Sequence, residues 1–411
     1  MMGGIEIEEC ILAHIGCIEM MDSHEKFMEE ALALAVKGSA WVSPNPMVGA
    51  VVVKNGAVVG RGWHERFGGP HAEVHALRNA GGEARGSTLY CTLEPCNHSG
   101  KTPPCSQAVI ATGITTVVLG TRDPNPVAVG GVAALRSAGI HVVEGVLEAE
   151  CRRVNAAFFK TVQTQTPLVA LKWAMSLDGK IATETGDSKW ITGDAARMYA
   201  RRLRGRYDAL LAGIGTVLAD DPALNVRLES DAETAAIRQP RRVILDSHAR
   251  TPLTSRLLSV QPAGPLIVVA CRSSNADTQD RIANLSNKGV DVIEVEPGAN
   301  GSISIGAAIH ELGQRGVLSV MVEGGAQILG ACVDAKLADR AHVFIAPKIV
   351  GGGRSLTAVV GRGVESIAAA LTFVDGSLNM RSIGADCLIE GALTEWGWLS
   401  ATGRSAPNVG A

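Results

Sequence analysis

The stretches His71-Ala72-Glu73, Glu94-Pro95-Cys96 and Pro103-Pro104-Cys105 decide how the first part of this chain folds. One imidazole and two thiolates supply three protein ligands for a tetrahedral zinc, His71, Cys96 and Cys105, and leave a fourth position open. An open position separates a catalytic zinc from a structural one, and zinc brings the pKa of a bound water to about 7. Glu73 is not needed as a ligand and is the natural proton carrier. Residues two apart do not share a helix face, so His71 and Glu73 converge only if a helix begins at this point. A structural zinc clip would need a fourth Cys or His. Cys91 is the local candidate, but within Leu89-Tyr90-Cys91-Thr92-Leu93 it reads as a buried strand residue.

Working outward, a helix is expected near 24–38, opened by Asp22 with Glu25 and stopped by Gly38. Residues 49–63 read as a hairpin turning at Asn55-Gly56. His71 opens a helix that closes at Gly81-Gly82, and a strand near 87–93 runs into Glu94-Pro95-Cys96. Thr102 and Pro103 read as cap and first turn of a helix carrying Cys105 in its opening turn. Two strands follow, through Val117-Val118-Leu119 and Ile140-His141-Val142-Val143. The result is a compact α/β unit over 22–147 with its metal ligands at helix starts, where the helix dipole favours thiolates. Residues 148–166 form a connecting helix and linker.

A second α/β unit over 167–399 opens with the strand Leu168–Met175. Further strands are expected at Ala209–Ala212, Arg242–Asp246, Pro265–Ala270, Val290–Val295, Leu318–Val322 and His342–Ile345, with helices near 194–206, 303–315 and 326–337. Residues 1–21 read as a disordered extension and 400–411 as a frayed tail.

Composition narrows the function. The 411 residues are 46% hydrophobic and only 4% aromatic, with a net charge of -3. Few aromatics and no basic excess argue against a nucleic-acid surface. No apolar run is long enough to span a membrane. Nine cysteines without a regular framework fit reduced thiols in a cytoplasmic setting.

The ligand set with its non-ligating glutamate is that of zinc nucleobase deaminases. Their usual second motif is Pro-Cys-x-x-Cys, whereas Cys96 and Cys105 flank Asn97-His98-Ser99-Gly100-Lys101-Thr102-Pro103-Pro104. That longer form, with Ser43-Pro44-Asn45-Pro46 upstream, closely resembles the deaminase half of the bifunctional riboflavin-biosynthesis deaminase/reductases. The insert offers Asn97, His98 and Lys101 to a phosphorylated pyrimidine beside the metal. Asn45 and His64 are further candidate substrate contacts.

No Gly-x-Gly-x-x-Gly follows an early strand in the second unit. Its best anion site is Glu323-Gly324-Gly325-Ala326-Gln327, a strand running through a glycine turn into a helix start. Leu171 through Lys180, Ser188-Lys189-Trp190-Ile191-Thr192 and Thr216 through Pro222 resemble the reductase half of the same family, and the likeness runs continuously over roughly 22–395. It implies a cytidine-deaminase-like three-layer domain followed by a dihydrofolate-reductase-like domain using NADPH. By that resemblance NADPH meets Ala174, Trp190, Thr216, Asp220, Ser247 and the segment Gly325, Ala326, Gln327, Ile328, Leu329, Gly330, Ala331. The phosphoribosyl substrate meets Ser188, Arg204, Leu224, Arg227 and Glu323. Independently, Arg197, Arg201, Arg202, Arg204 and Arg206 concentrate positive charge around one helix, and arginine pairs phosphate bidentately.

The expected activity is hydrolytic deamination of a phosphoribosylaminopyrimidine, then reduction of its ribosyl chain to ribityl. Two alternatives stay open. One is a nucleoside-type deaminase fused to an unrelated domain, against which the long insert weighs. The other is a zinc-stabilised binding protein, which would not require Glu73. A homo-oligomer also stays open.

Overall fold

The computed structural model describes residues 24–397 except 40, 99–102 and 299. The expected extension 1–21, the Asp22 cap, Lys101, Thr102 and the tail beyond 399 lie outside the described residues. The chain divides into two compact units, the first ending at Asn155 and the second starting at Ala156.

The first unit is built on five strands: β1 (Gly49–Lys54), β2 (Ala57–Trp63), β3 (Thr88–Leu93), β4 (Thr116–Thr121) and β5 (His141–Val143), in the order β2-β1-β3-β4-β5. The β1–β2 hairpin turns through Asn55 and Gly56, both at positive φ, as a primed two-residue turn requires. β3, β4 and β5 run parallel. Alternation along β1 splits the unit into three layers. Val51 and Val53 pack with Met28 and Ala31 of helix α1 (residues 24–35) and with Cys151. The opposite face carries α2 (Ala72–Ala80). A Cβ at Gly62 would come within 2.4 Å of the Ala72 carbonyl oxygen, so only glycine lets the start of α2, and with it His71, lie so close to β2.

Two local expectations shift. α3 (Cys105–Thr112) starts at Cys105 with Pro104 at its cap position, because Pro104 has extended backbone and offers no N–H. Cys96 stands in the loop after β3 rather than at a helix start. The expected connecting helix is two, α5 (Glu148–Val154) and α6 (Ala156–Thr164), after α4 (Gly131–Ser137). Asn155 between them accepts from the Met47 amide at 2.7 Å and donates to the Met47 carbonyl at 2.8 Å.

The second unit is a nine-stranded sheet ordered β11-β10-β9-β8-β12-β6-β13-β16-β15. Its strands are β6 (Leu168–Ser176), β8 (Ala209–Gly213), β9 (Arg241–Leu245), β10 (Leu266–Cys271), β11 (Asp291–Val295), β12 (Ser319–Gly324), β13 (Arg340–Ala346), β15 (Asn379–Ile383) and β16 (Asp386–Ala392). β7 (Lys180–Ala182) and β14 (Leu356–Thr357) form a separate pair. From β11 to β13 all neighbours are parallel, and β16 and β15 add an antiparallel edge. The chain steps outward from β8 through β11, then returns to lay β12 between β8 and β6. Ligands in such sheets bind beyond the carboxyl ends of strands at that reversal. Among the described residues no helix is long and apolar enough to cross a membrane.

Candidate active sites

α2 begins immediately after His71, whose extended backbone occupies the cap position, and Glu73 is the second helical residue. The Nδ1 of His71 lies 3.2 Å from the Cys105 sulfur and 3.5 Å from the Cys96 sulfur. All three donor atoms fall within 4.8 Å of one another. The Ser106 amide donates to the Cys96 carbonyl at 3.2 Å, tying the two cysteine segments together. This donor set fits zinc, and among the described residues no fourth His or Cys joins it; Cys91 is fully buried in β3. A hydrogen bond from Cys105, assisted by His71, draws the Cys96 thiol down to about 4. The same pairing, with burial, pushes Cys105 up.

Glu73 is only 3% exposed, and its Oε2 has no hydrogen-bond partner among the described residues. Burial pushes its carboxyl up to about 7 against the opposing pull of His71. Its charge is felt by both His71 and Cys105, so the start of α2 does bring His71 and Glu73 to one place. His64 packs edge-on against His71, with ring centroids 5.2 Å apart. Its Nδ1 donates to the Pro70 carbonyl at 3.0 Å, and its Nε2 accepts from the Asn45 amide at 3.1 Å. With both nitrogens engaged, His64 orients Asn45 and the backbone before His71 instead of offering a free nitrogen to a ligand. Asn97 is exposed and accepts from the Ser106 hydroxyl at 2.7 Å. His98 keeps a buried Nδ1 without a partner among the described residues.

In the second unit the expected residues gather at the carboxyl ends of β6, β8, β9 and β12. Gly325 precedes the helix Ala326–Asp334 at a φ of 60°, a left-handed conformation suited to glycine. Thr216, in the first turn of α8 (Ile214–Asp220), sits against it: a Cβ on Gly324 would lie 3.0 Å from the Thr216 hydroxyl. The Ile328 and Leu329 amides already donate to the Gly325 carbonyl, which leaves those of Gly325, Ala326 and Gln327 as the ones available to a phosphate. Leu329 and Gly330 turn into the core, Gly330 against the Val360 backbone, and Ala331 packs on the same core. These three do not line the turn.

Ser247 follows β9 and accepts from the Ile303 amide at 3.2 Å. Trp190 is 60% exposed under the Arg197 guanidinium, 4.5 Å from the ring centroid, and Asp220 pairs with Lys189 at 3.8 Å. Ala174 packs near Phe344, and Ser188 is half-buried in the loop before Trp190. Leu224 is buried at a φ of 45°, so only its backbone can face a ligand.

The zinc-binding region of the cytidine and deoxycytidylate deaminases matches residues 21–121, and the RibD C-terminal domain matches 167–380. The riboflavin biosynthesis protein RibD of Actinobacillus pleuropneumoniae is 41% identical over 365 residues, covering 89% of this chain and 94% of its own length. That of Escherichia coli is 40% identical over 374 residues, covering 89% and 98%.

The chain belongs to the RibD family.

Acinetobacter baumannii RibD superposes with a TM-score of 0.81 at 35% identity, over 90% of this chain and 99% of that one. A Thermotoga maritima diaminohydroxyphosphoribosylaminopyrimidine deaminase/5-amino-6-(5-phosphoribosylamino)uracil reductase superposes at 0.78 with 38% identity, over 91% and 99%. As a RibD, the chain is a bifunctional riboflavin-biosynthesis enzyme. It joins a zinc-binding, cytidine-deaminase-like unit to an NADPH-dependent, dihydrofolate-reductase-like unit.

Within this RibD the arginine-rich helix divides in a way the sequence does not show. Arg204, in α7 (Asp194–Arg204), is committed to Glu323 and to the Asn225 carbonyl. Beyond the helix, Arg227 has a buried Nε without a partner among the described residues, and its pKa is lowered by burial and by Arg201, Arg204 and Arg256. Arg201 belongs to the basic cluster that the sequence shows around the helix, whereas Arg256 joins it only through the fold. Two further groups escape the sequence reading. Lys172 faces Glu323 from β6, its pKa lowered by burial despite that carboxylate. Asp123, in the loop after β4, is buried near Cys96 and His98 and pushed up to about 6 by that burial. Both lie in otherwise apolar or turn-like stretches, which hides them.

Proposed function

We propose that His71, Cys96 and Cys105 hold the zinc and that Glu73 moves the protons of deamination. The carrying observation is the buried Glu73 Oε2, without a partner among the described residues, beside a three-donor cluster. Zinc, when bound, supplies Lewis acidity and an acidified water. Glu73 Oε2 takes the proton that leaves the attacking water and returns it to the departing amine, so that ammonia is released. Its carboxyl, held near neutrality by burial, suits both directions of transfer. Asn45, held by His64, keeps its side-chain oxygen for the pyrimidine, and Asn97 and His98 border the same entrance.

In the second unit, NADPH supplies the reducing equivalent, and the protein's task is placement. Gly325, Ala326, Gln327 and Thr216 suit the cofactor's phosphates, and Ala174, Trp190, Asp220 and Ser247 the rest of it. Arg201, Arg227 and Arg256 suit the phosphate of the substrate, with Glu323 oriented by Arg204 toward its sugar. The substrate is a small phosphorylated pyrimidine. The seven described cysteines are free thiols, which supports work in the reducing cytoplasm.

The decisive test is mass spectrometry of products from the diaminopyrimidine substrate, with and without NADPH. Loss of ammonia should occur alone without NADPH, and a two-hydrogen gain should follow only with it.

A further inference from the structure

Four segments meet around Trp190 in the reductase unit. Asp178, in the turn between β6 and β7, accepts from the Ser176 hydroxyl at 2.6 Å and from the amides of Val350 and Gly351 at 3.1 and 2.7 Å. Those bonds, the one from Ser176 first, pull its carboxyl down to about 2. The Lys348 carbonyl accepts from the Leu177 amide at 2.8 Å, so the loop after β13 is pinned on both sides of Ile349. From that pinned loop the Lys348 ammonium donates to the Trp190 carbonyl at 2.7 Å. On its other side the Trp190 ring meets Arg197, whose Nη1 also donates to the Thr192 carbonyl at 2.6 Å.

We infer that Asp178 and Lys348 are positioning residues for reduction: Asp178 sets the loop, and Lys348, carried by it, sets Trp190. Both act on other protein groups, Asp178 on the loop amides and Lys348 on the Trp190 carbonyl. The inference rests on the reading of Trp190 as a cofactor contact. A ring that stays 60% exposed has few apolar neighbours to fix it. Its orientation therefore depends on the polar tethers of its backbone, and an ammonium–carbonyl bond is among the stronger of these.

The test uses the full chain and the variants Lys348→Met, Lys348→Arg, Asp178→Asn, Trp190→Ala and the double variant Lys348→Met/Trp190→Ala. Lys348→Met should raise KM for NADPH about tenfold, the effect of losing one charge-assisted hydrogen bond, while kcat and KM for the pyrimidine hold. Asp178→Asn should move KM for NADPH in the same direction, and Lys348→Arg should restore it. Because Lys348 acts through Trp190, the double variant should be no worse than Trp190→Ala alone. Should Lys348→Met prove unstable, Asp178→Asn carries the same readout. A normal KM in both Lys348→Met and Asp178→Asn, with a raised KM in Trp190→Ala, overturns the tether and leaves the Trp190 reading standing. A normal KM in Trp190→Ala overturns that reading, and the tether with it.

Discussion

Arg204 grips Glu323 with two parallel hydrogen bonds of 2.6 Å, Nε to Oε1 and Nη2 to Oε2. Both side chains are largely buried, and Lys172 adds a second positive charge beside the carboxylate. The pair stands at the carboxyl end of β12. Arg204, expected by resemblance to meet the phosphoribosyl substrate, has its guanidinium engaged by a carboxylate and a backbone carbonyl.

Arg204→Ala should destabilise the second unit by about 3 kcal/mol, the lower end for breaking one side of a buried pair, since Lys172 remains. Burial raises the Glu323 carboxyl, but Arg204 and Lys172 outweigh it and the net shift is downward from 4.5. A depressed folded-state pKa gives stability that is fully present above 4.5 and is lost as pH falls through the folded value. Urea unfolding of wild type and variant should therefore differ most near neutrality and converge in acid below that value. A gap that widened in acid would contradict the assignment.

Much of this was readable from the sequence because the deciding residues are local. The His71, Cys96 and Cys105 spacing, the Asn55-Gly56 turn and the apolar strands of both sheets each depend on neighbours in the chain. What was hidden depends on tertiary placement. The partner of Arg204 lies 119 positions away. β15 and β16 carry polar residues such as Arg381, Asp386 and Glu390 on a half-exposed edge, so their alternation has little contrast. The same limit applies to Leu329 and Gly330, which share a segment with the free amides but face inward once the helix turns.

Chelation should separate the two activities. Stripping zinc from the full chain should abolish ammonia release while NADPH oxidation with already deaminated substrate continues, because the metal ligands all belong to the first unit. Zinc content should be about one ion per chain and should fall in a Cys96→Ser/Cys105→Ser variant, with lower thermal stability of that unit. Full occupancy in the double variant would defeat the ligand assignment.

Glu73→Gln keeps the shape of the side chain and its neighbours, so zinc should be retained. The amide cannot carry a proton, and ammonia release should fall by about 10²–10⁴-fold, the usual contribution of a general acid–base group. Reduction should be unaffected. Side-by-side metal analysis and ammonia assays decide the matter: zinc loss would reassign Glu73 to ligand support, and normal turnover would make it a bystander.

Arg227→Ala should weaken the reductase and spare the deaminase. The Arg227 Nε is buried without a partner among the described residues, and Arg201, Arg204 and Arg256 crowd it with like charge. Such a cluster is unfavourable until an anion enters, and a phosphate would satisfy both the orphaned donor and the charge. Loss of one charged hydrogen bond costs roughly 1.5–3 kcal/mol, about ten- to hundredfold in KM for the phosphorylated pyrimidine. Turnover of the dephosphorylated ribosylaminouracil should change little when Arg227 is removed. Measuring both half-reactions with both substrates separates the contributions. Equal losses for phosphorylated and dephosphorylated substrates would place Arg227 against the sugar or the fold, and a parallel loss of deamination would argue that one site serves both reactions.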